Sequence, residues 1–171
     1  MSKVFLAATD SIRKEIVKNK DFLTELDTPI GDADHGINMA RGFDAVMTKL
    51  EADSNLDMSS GLKKIGMTLL STVGGASGPL YGTAFMRAAK PAQGKTEMTK
   101  ELAEEILLVA MNGIKERGKA VRGEKTMIDS LEPAYDAFTK GVKEGKSLLQ
   151  CLEAACVEAE KGVEYTKTII A

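Results

Sequence analysis

An all-α fold is the expectation for this chain: an antiparallel up-and-down helical barrel or bundle of seven helices. Three features lead there. Apolar residues recur at helical spacing almost everywhere. No segment alternates apolar and polar residues in the manner of a half-buried strand. The connections between helical stretches are short, which makes successive helices antiparallel neighbours.

The first stretch covers 3–19. The second covers 36–52, where Met39, Phe43, Val46, Met47 and Leu50 fall at i, i+4, i+7, i+8 and i+11. Stretches at 59–73 and 78–90 follow. The fifth, 99–116, carries Leu102, Ile106, Val109, Ala110 and Ile114 on one face. The sixth, 126–143, opens on Thr126-x-x-Asp129, a relative of the capping box, and contains Pro133, where a kink is expected. The seventh, 147–170, opens on the capping box Ser147-x-x-Gln150 and carries Leu148, Leu152, Ala155, Cys156, Ala159 and Val163.

With 171 residues and no linker, repeat or low-complexity segment, the chain reads as one domain over 1–171. Hydrophobic residues make up 43 % and charged residues 28 %, a globular and not a disordered composition. The net charge is −2 and no basic run dominates a face, which argues against nucleic acid as a partner. The apolar run Val4–Ala8 is too short for a signal peptide core and is followed by Asp10, and no segment has the length of a membrane span. Cys151 and Cys156 lie five apart in a helical stretch, which is neither a metal nor a redox-pair spacing. They read as reduced core residues of a cytoplasmic protein.

Four loops stand apart from core and surface. In Leu26-Asp27-Thr28-Pro29-Ile30-Gly31-Asp32-Ala33-Asp34-His35-Gly36, three aspartates fall at i, i+5 and i+7, with Gly31 and Gly36 bracketing the last pair. Carboxylates held that close repel one another unless a cation compensates them, and an all-carboxylate set suits a hard ion such as magnesium. An Asp-Gly turn with Asp34 as a helix N-cap is the competing reading. A calcium EF-hand is excluded: counted from Asp32, Ile37 stands where Gly is needed and Phe43 where Glu is needed. His35 is the single histidine and has no evident Ser or Cys partner for a hydrolytic triad.

The second loop, Val73-Gly74-Gly75-Ala76-Ser77-Gly78-Pro79-Leu80-Tyr81-Gly82-Thr83, leads into a helix start and can cradle a phosphate. A tight helix–helix turn explains the same glycines. The third, Arg117-Gly118-Lys119-Ala120-Val121-Arg122-Gly123-Glu124-Lys125-Thr126-Met127, is basic and can face phosphates or a partner protein. Alternatively it is a solvated C-cap with Gly118 left-handed. The fourth, Ala89–Thr96, satisfies a loose phosphate-loop pattern, but it follows a helix instead of a strand and contains Pro91, so it reads as a solvent loop.

Taken together, Gly31-Asp32-Ala33-Asp34-His35-Gly36, Gly74–Gly82 and Arg117-Gly118-Lys119 with Gly123–Met127 resemble the nucleotide-binding L subunits of bacterial dihydroxyacetone kinases, in the same order and with about the same separations. The resemblance implies a helical barrel with nucleotide at one end. It implies that Asp27, Asp32 and Asp34 hold two magnesium ions against the diphosphate. Nucleotide contacts would fall on His35, Gly36, Ile37, Asn38, Ala76, Ser77, Gly118 and Met127. It further implies that bound ADP is recharged to ATP by a phosphohistidine protein, the M subunit. The phosphoryl group then passes to dihydroxyacetone on a separate K subunit. The scheme also leaves room for a transcription regulator among the partners. In the family a Gly/Arg-rich loop and a final, eighth helix follow the point where Ile169-Ile170-Ala171 ends this chain, so a covering segment is expected beyond it.

In this scheme the aspartates are ligands and not bases, since phosphoryl transfer depends on positioning and charge neutralisation; no nucleophile or general base is assigned. Two alternatives stay open: the nucleotide domain of an ATP-dependent dihydroxyacetone or fatty-acid kinase, and an ADP-loaded regulatory binding module. Absence of a ketose-binding domain, and His35 where those kinases more often carry Cys, favour the separate-subunit form.

Overall fold

The computed structural model describes residues 3–53 and 56–170. Among these residues there are eight helices and no strand: α1 (Lys3–Lys18), α2 (Lys20–Asp27), α3 (His35–Glu51), α4 (Met58–Thr72), α5 (Ser77–Ala88), α6 (Lys100–Gly118), α7 (Ile128–Lys143) and α8 (Leu148–Thr166). The all-α expectation holds, but the count of seven does not. The extra helix is α2, and it is not the C-terminal one the family resemblance implied. Asn19 separates α1 from α2 at φ −98°, ψ 10°. Its backbone N–H and side-chain amide both return to Glu15 O, at 3.1 and 2.8 Å, and so end α1. The eight residues of α2 make barely two turns, shorter than the window of about 11–18 residues in which periodicity is legible. Ala171 lies outside the described residues.

The chain divides into two compact units, Met1–Thr96 and Glu97–Ala171. In the first, α3 packs on α1, α2 and α4, and α4 on α5. The predicted stripe of α3 is its buried face: Met39, Phe43, Val46 and Leu50 join Ile65, Leu69 and Val73 in one cluster. Each such side chain contributes about 1.5–3 kcal/mol by leaving water. Phe43 meets Phe85 edge-on with ring centroids 6.4 Å apart. The Ala89–Thr96 loop is exposed at Lys90 and from Gln93 to Thr96, as expected of a solvent loop, but two of its residues are not. Ala89 and Ala92 are buried, and Ala89 O accepts a 2.7 Å bond from the buried Ser59 hydroxyl. Small apolar side chains let a non-helical segment close the core beneath α4 and α5.

In the second unit, α7 packs on α6 and α8. Ala103, Phe138 and Cys151 form its core cluster, with Val142, Leu148 and Ala155 packed around it. The Ser147–Gln150 capping box is present in both its bonds, at 3.0 and 3.3 Å. The stripe drawn for α8 needs correction. Leu152, Cys156 and Val163 are exposed, while Cys151 and Gly162 are buried. The α7–α8 seam is made by close approach. Gly141 faces the Cys151 side chain, and a Cβ at Gly162 would collide with the Asp129 carbonyl. Glycine carries no weight in an apolar count, so the periodicity chose a neighbouring face. Both cysteines are free thiols, but only Cys151 is a core residue. No described helix is long and apolar enough to cross a membrane.

Candidate functional site

The metal loop is built by the end of α2 and the start of α3. Asp27 is the last residue of α2, and the turn that follows is closed by Gly31 N–H donating to Asp27 O at 2.6 Å. Gly31 approaches so closely that a Cβ there would collide with the Asp27 carboxylate. Ala33 then takes a left-handed conformation, φ 58°, rare for a residue with a Cβ. That reversal lets Asp32 and Asp34 present their carboxylates to the same side as Asp27. One oxygen from each of the three lies within 4.8 Å of the others.

The competing reading of Asp34 as a capping residue fails on geometry. Asp34 occupies the N-cap position of α3, but its side chain makes no capping bond. The cap is supplied by Asp27, whose Oδ2 accepts from the backbone N–H of Asp34 at 3.1 Å and of His35 at 3.4 Å. Asp27 is thereby fixed, and Asp34 stays available as a ligand. Three oxygen donors within one coordination sphere's reach fit a hard divalent cation. The N-terminus of α3 adds positive dipole.

The Gly-rich loop is brought to the same place within the first unit. The Ser77 hydroxyl and His35 Nδ1 lie 3.1 Å apart, joining the first residue of α5 to the first residue of α3. Gly75 is left-handed at φ 62°, and Gly78 passes so close to Val73 O that no side chain could stand there. The first-turn N–H groups of Ser77 and Gly78 have no partner within α5, as at any helix start, and Pro79 has none to offer. Gly36 is buried against the Lys20 carbonyl. Ile37 is 48 % exposed and Asn38 is buried. Ala76 is the N-cap of α5 and exposed.

The basic loop belongs to the second unit and is tightly organised. Gly118 is the last residue of α6; the left-handed residue expected there is instead Lys119, φ 53°. Met127 is the N-cap of α7. Asp129, 1 % exposed, accepts from Gly123 N–H at 2.5 Å and Thr126 N–H at 2.9 Å. The Thr126 N–H foremost, with help from Gly123, holds its carboxyl below the usual carboxylate range despite burial. Lys125, left-handed at φ 56°, donates to Thr166 O at 2.6 Å and Ile169 O at 3.0 Å, capping the C-terminus of α8. In the sequence Asp129 is legible only as part of a capping-box relative and Lys125 only as part of a basic loop. The one signal was the acidic residue three places after Thr126.

The site thus defines an all-helical protein with a convergent carboxylate trio joined to a Gly-rich helix start, the equipment of a cation-dependent phosphate binder. The chain belongs to the DAK2 domain family, whose model matches residues 29–171. It is 44 % identical over 149 residues to the PEP-dependent dihydroxyacetone kinase, ADP-binding subunit DhaL, of Escherichia coli (strain K12), covering 87 % of this chain and 71 % of that one. To the PTS-dependent dihydroxyacetone kinase, ADP-binding subunit DhaL, of Lactococcus lactis subsp. lactis (strain IL1403), it is 42 % identical over 154 residues, 90 % of this chain and 75 % of that one. The crystal structure of the dihydroxyacetone kinase from C. freundii in complex with AMP-PNP and Mg2+ matches with a TM-score of 0.80 and 25 % identity, over 98 % of this chain and 29 % of that larger chain.

Proposed function

We propose that this protein is the ADP-binding subunit of a phosphoenolpyruvate-dependent dihydroxyacetone kinase, a phosphotransferase. Its ADP accepts a phosphoryl group from the phosphohistidine of an M subunit, and the group passes to dihydroxyacetone on a separate K subunit. The observation that carries this reading is the convergence of Asp27, Asp32 and Asp34 within 4.8 Å beside the His35–Ser77 junction. The names of the Escherichia coli and Lactococcus lactis relatives supply the substrate and the nucleotide.

In this reading Asp27, Asp32 and Asp34 hold two magnesium ions, and Asp27 is pre-set by the Asp34 and His35 N–H groups. The bound ions supply charge neutralisation on the phosphates. His35, Gly36, Ile37, Asn38, Ala76, Ser77, Gly118 and Met127 contact the nucleotide, with the Ser77 and Gly78 N–H groups offered to phosphate oxygens. The carboxylates act as ligands, and no side chain becomes covalently phosphorylated. The reading takes 1–171 as one nucleotide-binding domain of an antiparallel helical barrel. It also carries a cytoplasmic location and room for a transcription regulator among the partners.

The test mixes this protein, a labelled phosphohistidine donor, the K subunit and dihydroxyacetone, with no added ATP. Label reaching dihydroxyacetone only when this protein is present is the expected result. The match to the larger C. freundii kinase favours one second reading, an ATP-dependent kinase domain. Transfer that requires millimolar free ATP and ignores the donor would select it.

A further inference from the structure

Asn38 stands one turn into α3, buried, between the metal loop and the Gly-rich loop. Three residues on, the Arg41 guanidinium reaches across to the end of α4. Its Nη2 donates to Asn38 Oδ1 at 2.6 Å and to Thr72 O at 2.9 Å, and its Nε donates to Thr72 O at 3.3 Å. Thr72 is the last residue of α4, immediately before the Gly-rich loop. Arginine has five N–H donors and no acceptor, so the edge of the Asn38 amide that faces it must be the oxygen. The NH2 edge therefore turns the other way, toward Gly74, where a Cβ would stand 3.2 Å from Nδ2. Left to itself an asparagine amide can present either edge.

We infer that Arg41 is a positioning residue for the nucleotide site, locking the Asn38 amide so that its N–H donors face the Gly-rich loop while pinning the start of that loop through Thr72 O. The inference rests on the reading of Asn38 as a nucleotide contact. A phosphate or ribose oxygen can only accept from that amide if the NH2 edge is presented. With Arg41 in place, no free energy is spent at binding to select the rotamer. A mere surface clamp would have no reason to engage Asn38. Arg41 does so with the shortest of its three bonds.

Affinity for ADP at saturating magnesium is measured by calorimetry for the unaltered protein and for R41M, R41K, N38D and the double variant R41M/N38D, with a melting temperature for each. R41M is expected to weaken ADP about tenfold. R41K, which keeps one donor to Asn38 but loses the fork, is expected to fall between. N38D keeps a partner for Arg41 and removes the NH2 donors, so it is expected to stay folded and bind as weakly as R41M. Because part of the Arg41 effect runs through Asn38, the loss in the double variant is expected to be smaller than the product of the two single losses. Wild-type affinity in R41M or in N38D, or losses that multiply in the double variant, would overturn the inference while leaving ADP binding itself intact; wild-type affinity in N38D would also remove Asn38 from the nucleotide contacts. If R41M fails to fold, N38D and R41K decide it alone. Absence of ADP binding by the unaltered protein would overturn both.

Discussion

Replacing Gly31 by alanine isolates the geometry of the metal loop from its charge. Gly31 is exposed and has no left-handed φ, so neither solvent-side packing nor the backbone forbids the methyl group. What the methyl group meets is Asp27. A Cβ built there lies 2.5 Å from Asp27 Cγ and 2.8 Å from Oδ2, and it collides with Oδ1. To reach ordinary contact near 3.4 Å the carboxylate must retreat by more than about 1 Å at Oδ1. Magnesium takes its oxygen ligands at about 2.0–2.1 Å, and a working site tolerates departures of about 0.2 Å. The displaced carboxylate is then lost as a ligand, and the cap it forms on Asp34 and His35 weakens with it. Disturbing even a supporting partner of a metal ligand costs about 10- to 100-fold in affinity. Gly31→Ala is therefore expected to weaken magnesium-dependent ADP binding by at least that factor. The melting temperature should change by no more than about 4 °C, since little apolar surface is involved. Calorimetric titration of ADP at several magnesium concentrations, paired with thermal melts, reads both. Unchanged ADP affinity in a folded Gly31→Ala protein would refute the placement of Asp27 in the metal set.

Asp32→Ala removes an exposed carboxylate from the trio, so it should abolish retention of ADP through purification while leaving the melt within about 2 °C of the parent; retained nucleotide in the intact mass spectrum of the complex would contradict this. Asp129→Asn turns a donor toward one of the two N–H groups that the carboxylate now satisfies, and a loss of about 3 kcal/mol in urea unfolding is expected at neutral pH. The Asp129 carboxyl is held below its unfolded value, so its contribution is complete above the unfolded pKa of about 3.9 and disappears as pH falls through the folded one. The gap between variant and parent should accordingly be constant from neutrality to about pH 5 and close below it. A gap that persists unchanged into strong acid would show the carboxylate charge to be irrelevant. Ser147→Ala removes the acceptor for Gln150 N–H and is expected to cost about 1 kcal/mol by the same unfolding assay; no change would mean the α8 cap is not formed in solution.

Periodicity and cap chemistry were enough to locate α1 and α3 through α8 to within a few residues. They also picked the buried face of α3 and identified the capping box at Ser147 and the two loops that meet at the His35–Ser77 junction. These are local properties: a turn of helix, or an oxygen three residues from an N–H, is written in neighbouring residues. The three aspartates were visible as a spacing, but whether they converge was not. That depends on α2, too short to leave a periodic trace, and on Gly31 lying against the Asp27 carboxylate. It depends also on Ala33 adopting a left-handed turn that nothing in its side chain advertises. The same holds for the bonds that cross between elements: Arg41 to Thr72, Ser77 to His35 and Lys125 to the end of α8. Likewise the α8 face that packs on α7 was set by Gly141 and Gly162, where backbones approach. The Arg41, Ser77 and Lys125 bonds join residues 31 to 42 positions apart, and chain folding, not neighbouring sequence, brings them within a hydrogen bond of one another.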